Sequence, residues 1–231
     1  MSTSTESRAR AHAVMAFGLA AAATTAAVLF VLAARAYPGG THFDRLRAGH
    51  DFWRNTLCDV ARSTALGGAR NEVGAAFART AMTIMALGIG GLFWLLPERF
   101  PSSARLGVAV RALGCLSVPG ALAVVFLPTD RFSALHGIAI VIAGLPALAA
   151  ALIAAIGLLR ERVRARFVTM VGILALGVAA ADFGLYVHEL VFGGPPRVAV
   201  SVLERIATLL VVLWMIVVAR VSWRTRLASG P

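Results

Sequence analysis

Asp59, Asp130 and His136 are the residues of this 231-residue sequence whose types best suit chemistry; Asp59 stands in a polar stretch between two long apolar runs, and Asp130 and His136 stand at the ends of two others. A carboxylate accepts protons or orients an imidazole, and an imidazole moves protons near neutral pH. With His50 or His188 added, the same set would supply roughly the three ligands that a water-activating metal requires. A second group, His50, Asn71, Asp182, His188, Glu189 and Arg205, has the polarity expected of a pocket lining. Such groups act only within hydrogen-bond reach of one another. The elements that would bring them there therefore decide the reading.

Composition defines those elements. Hydrophobic residues make up 59% and charged residues 14% of the chain, against about half and a quarter in globular domains, so the chain reads as an integral membrane protein. All 22 basic residues are arginine. They punctuate the apolar runs instead of forming one basic face, which argues against a nucleic-acid partner. Cys58 and Cys115 fit neither a disulfide framework nor a metal knuckle. There is no G-x-S-x-G elbow, H-E-x-x-H pair, phosphate loop or dinucleotide fingerprint, and "GIGG" at 88–91 lies within an apolar run.

A helix needs about 20 apolar residues to cross a bilayer. Six segments qualify, 13–34, 76–96, 106–127, 134–159, 167–192 and 198–219, so the fold class is an all-α, polytopic six-helix membrane bundle forming a single domain over 1–231. Pro119 and Pro146 fall inside spans, where proline kinks a helix. The first apolar run is longer than the core of a cleavable signal, which predicts an uncleaved first span. Arginines 8, 10, 99, 105, 160, 162, 164, 166, 220, 224 and 226 share one side of a six-span topology. The positive-inside rule makes that side, and both termini, cytoplasmic.

The polar segment 37–75 then lies outside. Over 44–64, Leu46, His50, Trp53, Leu57, Val60 and Thr64 recur at steps of four and three, predicting an amphipathic helix at the outer interface. Asp182 lies about 15 Å and Arg205 about 10 Å below the outer ends of their spans. An unpaired charge is costly there, so the two are expected to pair. Asp130 is equally suited to capping the fourth span, and His188 to an interfacial position.

The run "FWRNTLCDVA", then "GGARN" before the second span and "LPTD" with "LHG" between the third and fourth, resembles the six-span prokaryotic membrane family catalogued as domain of unknown function 998. Asp59, Asn71, Pro128, Asp130 and His136 match that pattern, while Cys58 and Ala61 replace its Ser and Gly. The resemblance implies a bacterial or archaeal cell (inner) membrane and the six-span fold, and it supplies no activity. A more distant likeness, to membrane-embedded amidohydrolases of the alkaline ceramidase type, rests on the outer histidines 42, 50, 136 and 188, but the His-x-x-x-His pair is missing. The leading expectation is an outer polar pocket that brings Asp59 and Asn71 near Asp130 and His136 and handles a membrane lipid or small hydrophobe. A metal-dependent lipid hydrolase and a non-catalytic scaffold stand as alternatives. The residues leave cofactor, metal and oligomeric state open.

Overall fold

The structure, a computed structural model, describes residues 2–161, 166–193, 195 and 197–228, with side chains over 10–161, 166–193, 195 and 197–224. Arg162 and Arg164 lie outside the described residues, as do the side chains of Arg8 and Arg226. The order is α1 (Ser2–Ala36), α2 (Leu57–Val60), α3 (Glu72–Leu95), a 3-10 turn (Leu96–Arg99), α4 (Ala104–Phe126), α5 (Thr129–Arg160), α6 (Arg166–Phe192) and α7 (Val198–Ala228). All but α2 and the turn are long and apolar enough to cross a membrane, which supports a multi-pass membrane protein. Among the described residues there is no strand, only the isolated bridges Gly39 to Ala48 and Thr64 to Arg70.

The helix-forming logic is composition more than amphipathicity. Alanine and leucine favour helix, and in lipid every backbone group must find its partner within the segment. Apolar side chains cover the outer faces, with Leu145, Leu152, Met170 and Leu209 more than half exposed. Small residues let the helices meet. A Cβ on Gly120 would lie 2.6 Å from the backbone nitrogen of Ala143, so glycine is what allows α4 to approach α5 this closely. α1 packs on α3 and α7, α4 on α3 and α5, and α6 on α7 and α5.

The larger core occupies the half of the bundle nearer the chain termini, where Leu92, Leu95, Leu96, Phe100 and Met215 are fully buried. A smaller cluster of Ala33, Tyr37, Val60, Ala61, Ala65 and Ala78 sits under the long loop between α1 and α3. Burial is uneven along α6. Its buried residues all fall within 168–175, and none of 176–192 is buried. Toward the loop end, α6 therefore stands off from the bundle axis and leaves a space inside.

Residues 37–71 correct one expectation. They form no helix over 44–64; only Leu57–Val60 is helical. Leu46, expected on a packed stripe, is 96% exposed. Local side-chain bonds compete successfully with the helix. Thr41 Oγ1 accepts from the amides of Phe43 and Asp44, Asp44 Oδ1 accepts from Leu46 N, and Asp51 Oδ1 accepts from Trp53 N. Gly40 has φ +90°, and a Cβ there would lie 2.1 Å from Gly67 N. Both conditions admit only glycine.

Candidate functional site

The loop is a polar cap stitched from within and bolted to the helix ends. Asn55, fully buried, donates from Nδ2 to Gly40 O at 2.8 Å and accepts from Asp51 N at 2.9 Å. The hydroxyl of Tyr37 donates to Gly40 O and accepts from Leu66 N. From α3, Arg79 donates to Ala61 O and Ser63 Oγ. Asn71, at the start of α3, donates from Nδ2 to Val60 O and Arg62 O at 2.8 and 2.9 Å.

From the far side, Asp130 Oδ2 accepts from the amides of Ser63 and Thr64 at 3.1 and 3.2 Å, and Arg62 donates to Thr129 Oγ1. α7 supplies three more ties. Ser201 Oγ donates to Arg54 O, and Glu204 Oε2 accepts from Leu57 N at 2.9 Å. Arg205 donates to Phe52 O at 3.2 Å and to Asn55 O at 2.8 Å, and its guanidinium lies 5.5 Å from the centre of the Phe52 ring.

Arg205 also lies 3.2 Å from His50 Nε2. A guanidinium offers only donors, so that nitrogen must be the acceptor and His50 is neutral. Burial, and then the charge of Arg205, lower the pKa of His50 to about 4. The expected Asp182–Arg205 ion pair does not form. The Arg205 fork is spent on the cap, and Asp182 Oδ1 is buried without a hydrogen-bond partner.

Beneath the cap is a cavity of about 580 Å³ between α3, α5, α6 and α7. Its deep part is apolar, with Leu92, Phe93, Leu148, Leu176, Val211 and Trp214; its upper part is polar, with His42, Asp59, His136, Asp182, Glu189 and Glu204. Of the residues singled out from sequence, Asp59, His136, Asp182 and Glu189 border this space. Asn71, Asp130, His50 and Arg205 do not; they hold the cap. His188 is exposed and packs on the ring of Phe192 at 5.0 Å, outside the cavity. Asp59 and His136 thus share a cavity, while Asn71 and Asp130 converge on the backbone of residues 60–64.

Asp59 has both oxygens engaged. Oδ2 accepts from Thr56 N at 2.8 Å, completing a capping box with Thr56 Oγ1 and Asp59 N. Oδ1 lies 3.1 Å from His42 Nε2. Burial alone would raise the pKa of Asp59, but the bonds from His42 and Thr56 and the charge of His42 outweigh it and hold the carboxyl below its usual range. A carboxylate so placed orients His42, a residue that sequence reading noted only as an outer histidine. The T-x-x-D of the capping box was the available signal. Burial first, and then the charges of Glu204 and Asp59, push the Cys58 thiol well above its ordinary value, so it is a poor nucleophile.

His136 is only 3% exposed, and its Nδ1 lies 2.6 Å from Leu127 O. Nδ1 must donate to a carbonyl, so in the neutral ring Nε2 is a bare acceptor. That nitrogen, Asp182 Oδ1 and Glu189 Oε1 are buried without hydrogen bonds. Glu189 has Arg197 at 3.7 Å, an ion-pair distance too long for a hydrogen bond. No three His, Cys, Asp or Glu side chains converge as a metal-ligand set among the described residues.

Comparison with protein-family models, with curated proteins and with solved structures found no match.

Proposed function

We propose that this chain binds an amphiphile, a membrane lipid or similar molecule, with its tail in the apolar depth of the bundle cavity and its head beneath the polar cap. The carrying observation is the polarity gradient within one cavity: its depth is walled by Leu92, Phe93, Leu148, Leu176 and Val211, with the Trp214 Nε1 donor as a buried polar atom without a hydrogen bond, and its upper part holds the unsatisfied His136 Nε2, Asp182 Oδ1 and Glu189 Oε1. Cavities of about 300–1,000 Å³ that are mostly apolar and carry a few polar groups are the usual form of a ligand site. Ser201 and Trp214 line it thirteen residues apart on α7, a depth of about 20 Å, which suits a lipid tail.

The cap is placed on the extracytoplasmic side of a bacterial or archaeal cell membrane, with both termini cytoplasmic. Several cap arginines are consumed by the fold: Arg45 donates to Leu66 O, Arg47 pairs with Asp51, and Arg62 and Arg79 bind as described. The topology signal is therefore carried by Arg10, Arg99, Arg105, Arg160, Arg166, Arg220 and Arg224 at the other end. The family resemblance drawn from "FWRNTLCDVA" and "LPTD" supports the same placement.

Trp214 is 3% exposed, so a quencher in the surrounding bilayer reaches it poorly and one inside the cavity reaches it directly. A protein keeping Trp214 as its only tryptophan, with Trp53, Trp94 and Trp223 changed to Phe, is reconstituted with phospholipid brominated along its chains. Strong quenching, relieved by the cavity-filling Ala147→Phe, is the expected result. Unquenched Trp214 overturns the reading.

One observation favours a second reading, hydrolysis. His42, oriented by Asp59 at 3.1 Å on the cavity wall, would take a proton from water as the oxygen adds to a lipid carbonyl, and return it to the departing group. On this reading His42→Gln removes turnover and leaves lipid binding intact.

A further inference from the structure

The upper cavity is one-sided in its hydrogen-bonding chemistry. Four carboxylates border it, Asp59, Asp182, Glu189 and Glu204, against two guanidiniums, Arg62 and Arg197. Arg62 is turned to Thr64 O and Thr129 Oγ1. Asp59 is satisfied by His42 and Thr56, and one oxygen of Glu204 by Leu57 N. Arg197 stands 3.7 Å from Glu189 Oε1 and gives that carboxylate its cation. The buried acceptors left over are Asp182 Oδ1, a carboxylate oxygen, and His136 Nε2, an acceptor in the neutral ring.

Buried acceptors without donors are costly, and carboxylates without a cation more so. Arg205, the buried cation on α7, has its fork committed to Phe52 O, Asn55 O and His50. What Asp182 lacks is a donor that carries positive charge. We propose that the amphiphile's head bears a protonated primary amine, which sits against Asp182 in the upper cavity, whose wall offers His136 Nε2 as a second acceptor. A phosphate head would add negative charge beside four carboxylates. A hydroxyl head would satisfy one or two acceptors and leave the charges unmatched.

This inference rests on the cavity being a lipid site, and its test separates the two. The protein in a neutral maltoside detergent is titrated with dodecylamine, dodecanol and dodecyl phosphate, and bound ligand is read by native mass spectrometry. Each titration is repeated on Asp182→Asn and on the cavity-filling Ala147→Phe. Asp182→Asn keeps the shape of the side chain and removes its charge.

The expected result is that dodecylamine binds most tightly. It should lose about 30-fold or more with Asp182→Asn, the low end of the cost of removing one partner from a buried charge pair. Dodecanol binding should stay unchanged in that variant, which also demonstrates that it is folded. Ala147→Phe should block every chain. If dodecanol or dodecyl phosphate binds as well as the amine, or Asp182→Asn leaves the amine unaffected, the head assignment is overturned and the cavity reading survives. If none of the three binds in a manner that Ala147→Phe abolishes, both fail.

Discussion

Replacing Arg205 should loosen the hold of α7 on the cap, leaving the ties of Ser201 and Glu204, without replacing a residue of the cavity lining. The side chain is 6% exposed and makes contacts at 3.2 Å to Phe52 O, 2.8 Å to Asn55 O and 3.2 Å to His50 Nε2. Hydrogen bonds to a charged group contribute about 1.5–3 kcal/mol each, a gross of roughly 4–9 kcal/mol for three. Relaxation and water reaching the freed carbonyls return part of that, so Arg205→Met is expected to cost about 3 kcal/mol net. For a chain of this size that is a fall in Tm of about 6–12 °C. Arg205→Lys keeps the charge but not the fork, and should fall between the two. Thermal unfolding in detergent gives the magnitude, and hydrogen exchange gives the location: faster exchange at residues 50–57, with α4 unchanged. A shift under about 2 °C for Arg205→Met, with exchange at 50–57 unaltered, would refute the clamp. A double change with Asp182→Asn adds a further check. The two effects should simply add, because the side chains share no bond.

Asn71→Asp turns a buried donor toward Val60 O and Arg62 O into an acceptor. It should destabilise the protein by about 2–4 kcal/mol in a thermal melt, more than Asn71→Ala, because like dipoles then face one another. Acid sensitivity should arise in two stages. His50 is lowered to about 4, so between about pH 6.5 and 4 the unfolded chain binds a proton that the fold refuses. Stability falls as pH drops through that window and is level above it, by at most about 3 kcal/mol before solvent screening reduces it. Asp59, held below its usual range, adds its loss only at still lower pH. The difference in Tm between about pH 7.5 and about pH 4.5 should shrink in His50→Gln; an unchanged difference removes His50 as the cause.

The spans were legible because an apolar run of about 20 residues has few alternatives in a bilayer. Most helix limits fall within a few residues of the expected ones; α1 begins at Ser2 and α7 runs on to Ala228, beyond the apolar runs, and α5 starts at Thr129 and changes direction at Phe132. The cap was misread for an identifiable reason. A four-and-three spacing of apolar residues is necessary for an amphipathic helix but not sufficient, and here Gly39, Gly40 and Gly49 at positive φ with Thr41, Asp44 and Asp51 as local acceptors decide the backbone. The turn chemistry was in the sequence at "GGTHFD" and carried more information than the stripe. Asp182 and Arg205 were misassigned because rise along a helix sets the depth of a side chain, not the direction in which it points. Nothing in the sequence could show that α7 turns Arg205 up into the cap and α6 turns Asp182 into the cavity.

The ties between cap and α7 join residues 147 to 155 positions apart. During synthesis the cap segment emerges after the first span and waits while four more are made and inserted. Until Ser201, Glu204 and Arg205 arrive, the carbonyls of Phe52, Arg54 and Asn55 and the amide of Leu57 lack these partners and depend on water or on a helper. Long-range contacts of this kind form late, so closure of the cap reports that the last span has been inserted in the right direction. A chain that stops short of α7, or inserts it inverted, keeps an open, hydrated loop. It presents the quality-control machinery of the membrane with an exposed segment that the finished protein conceals.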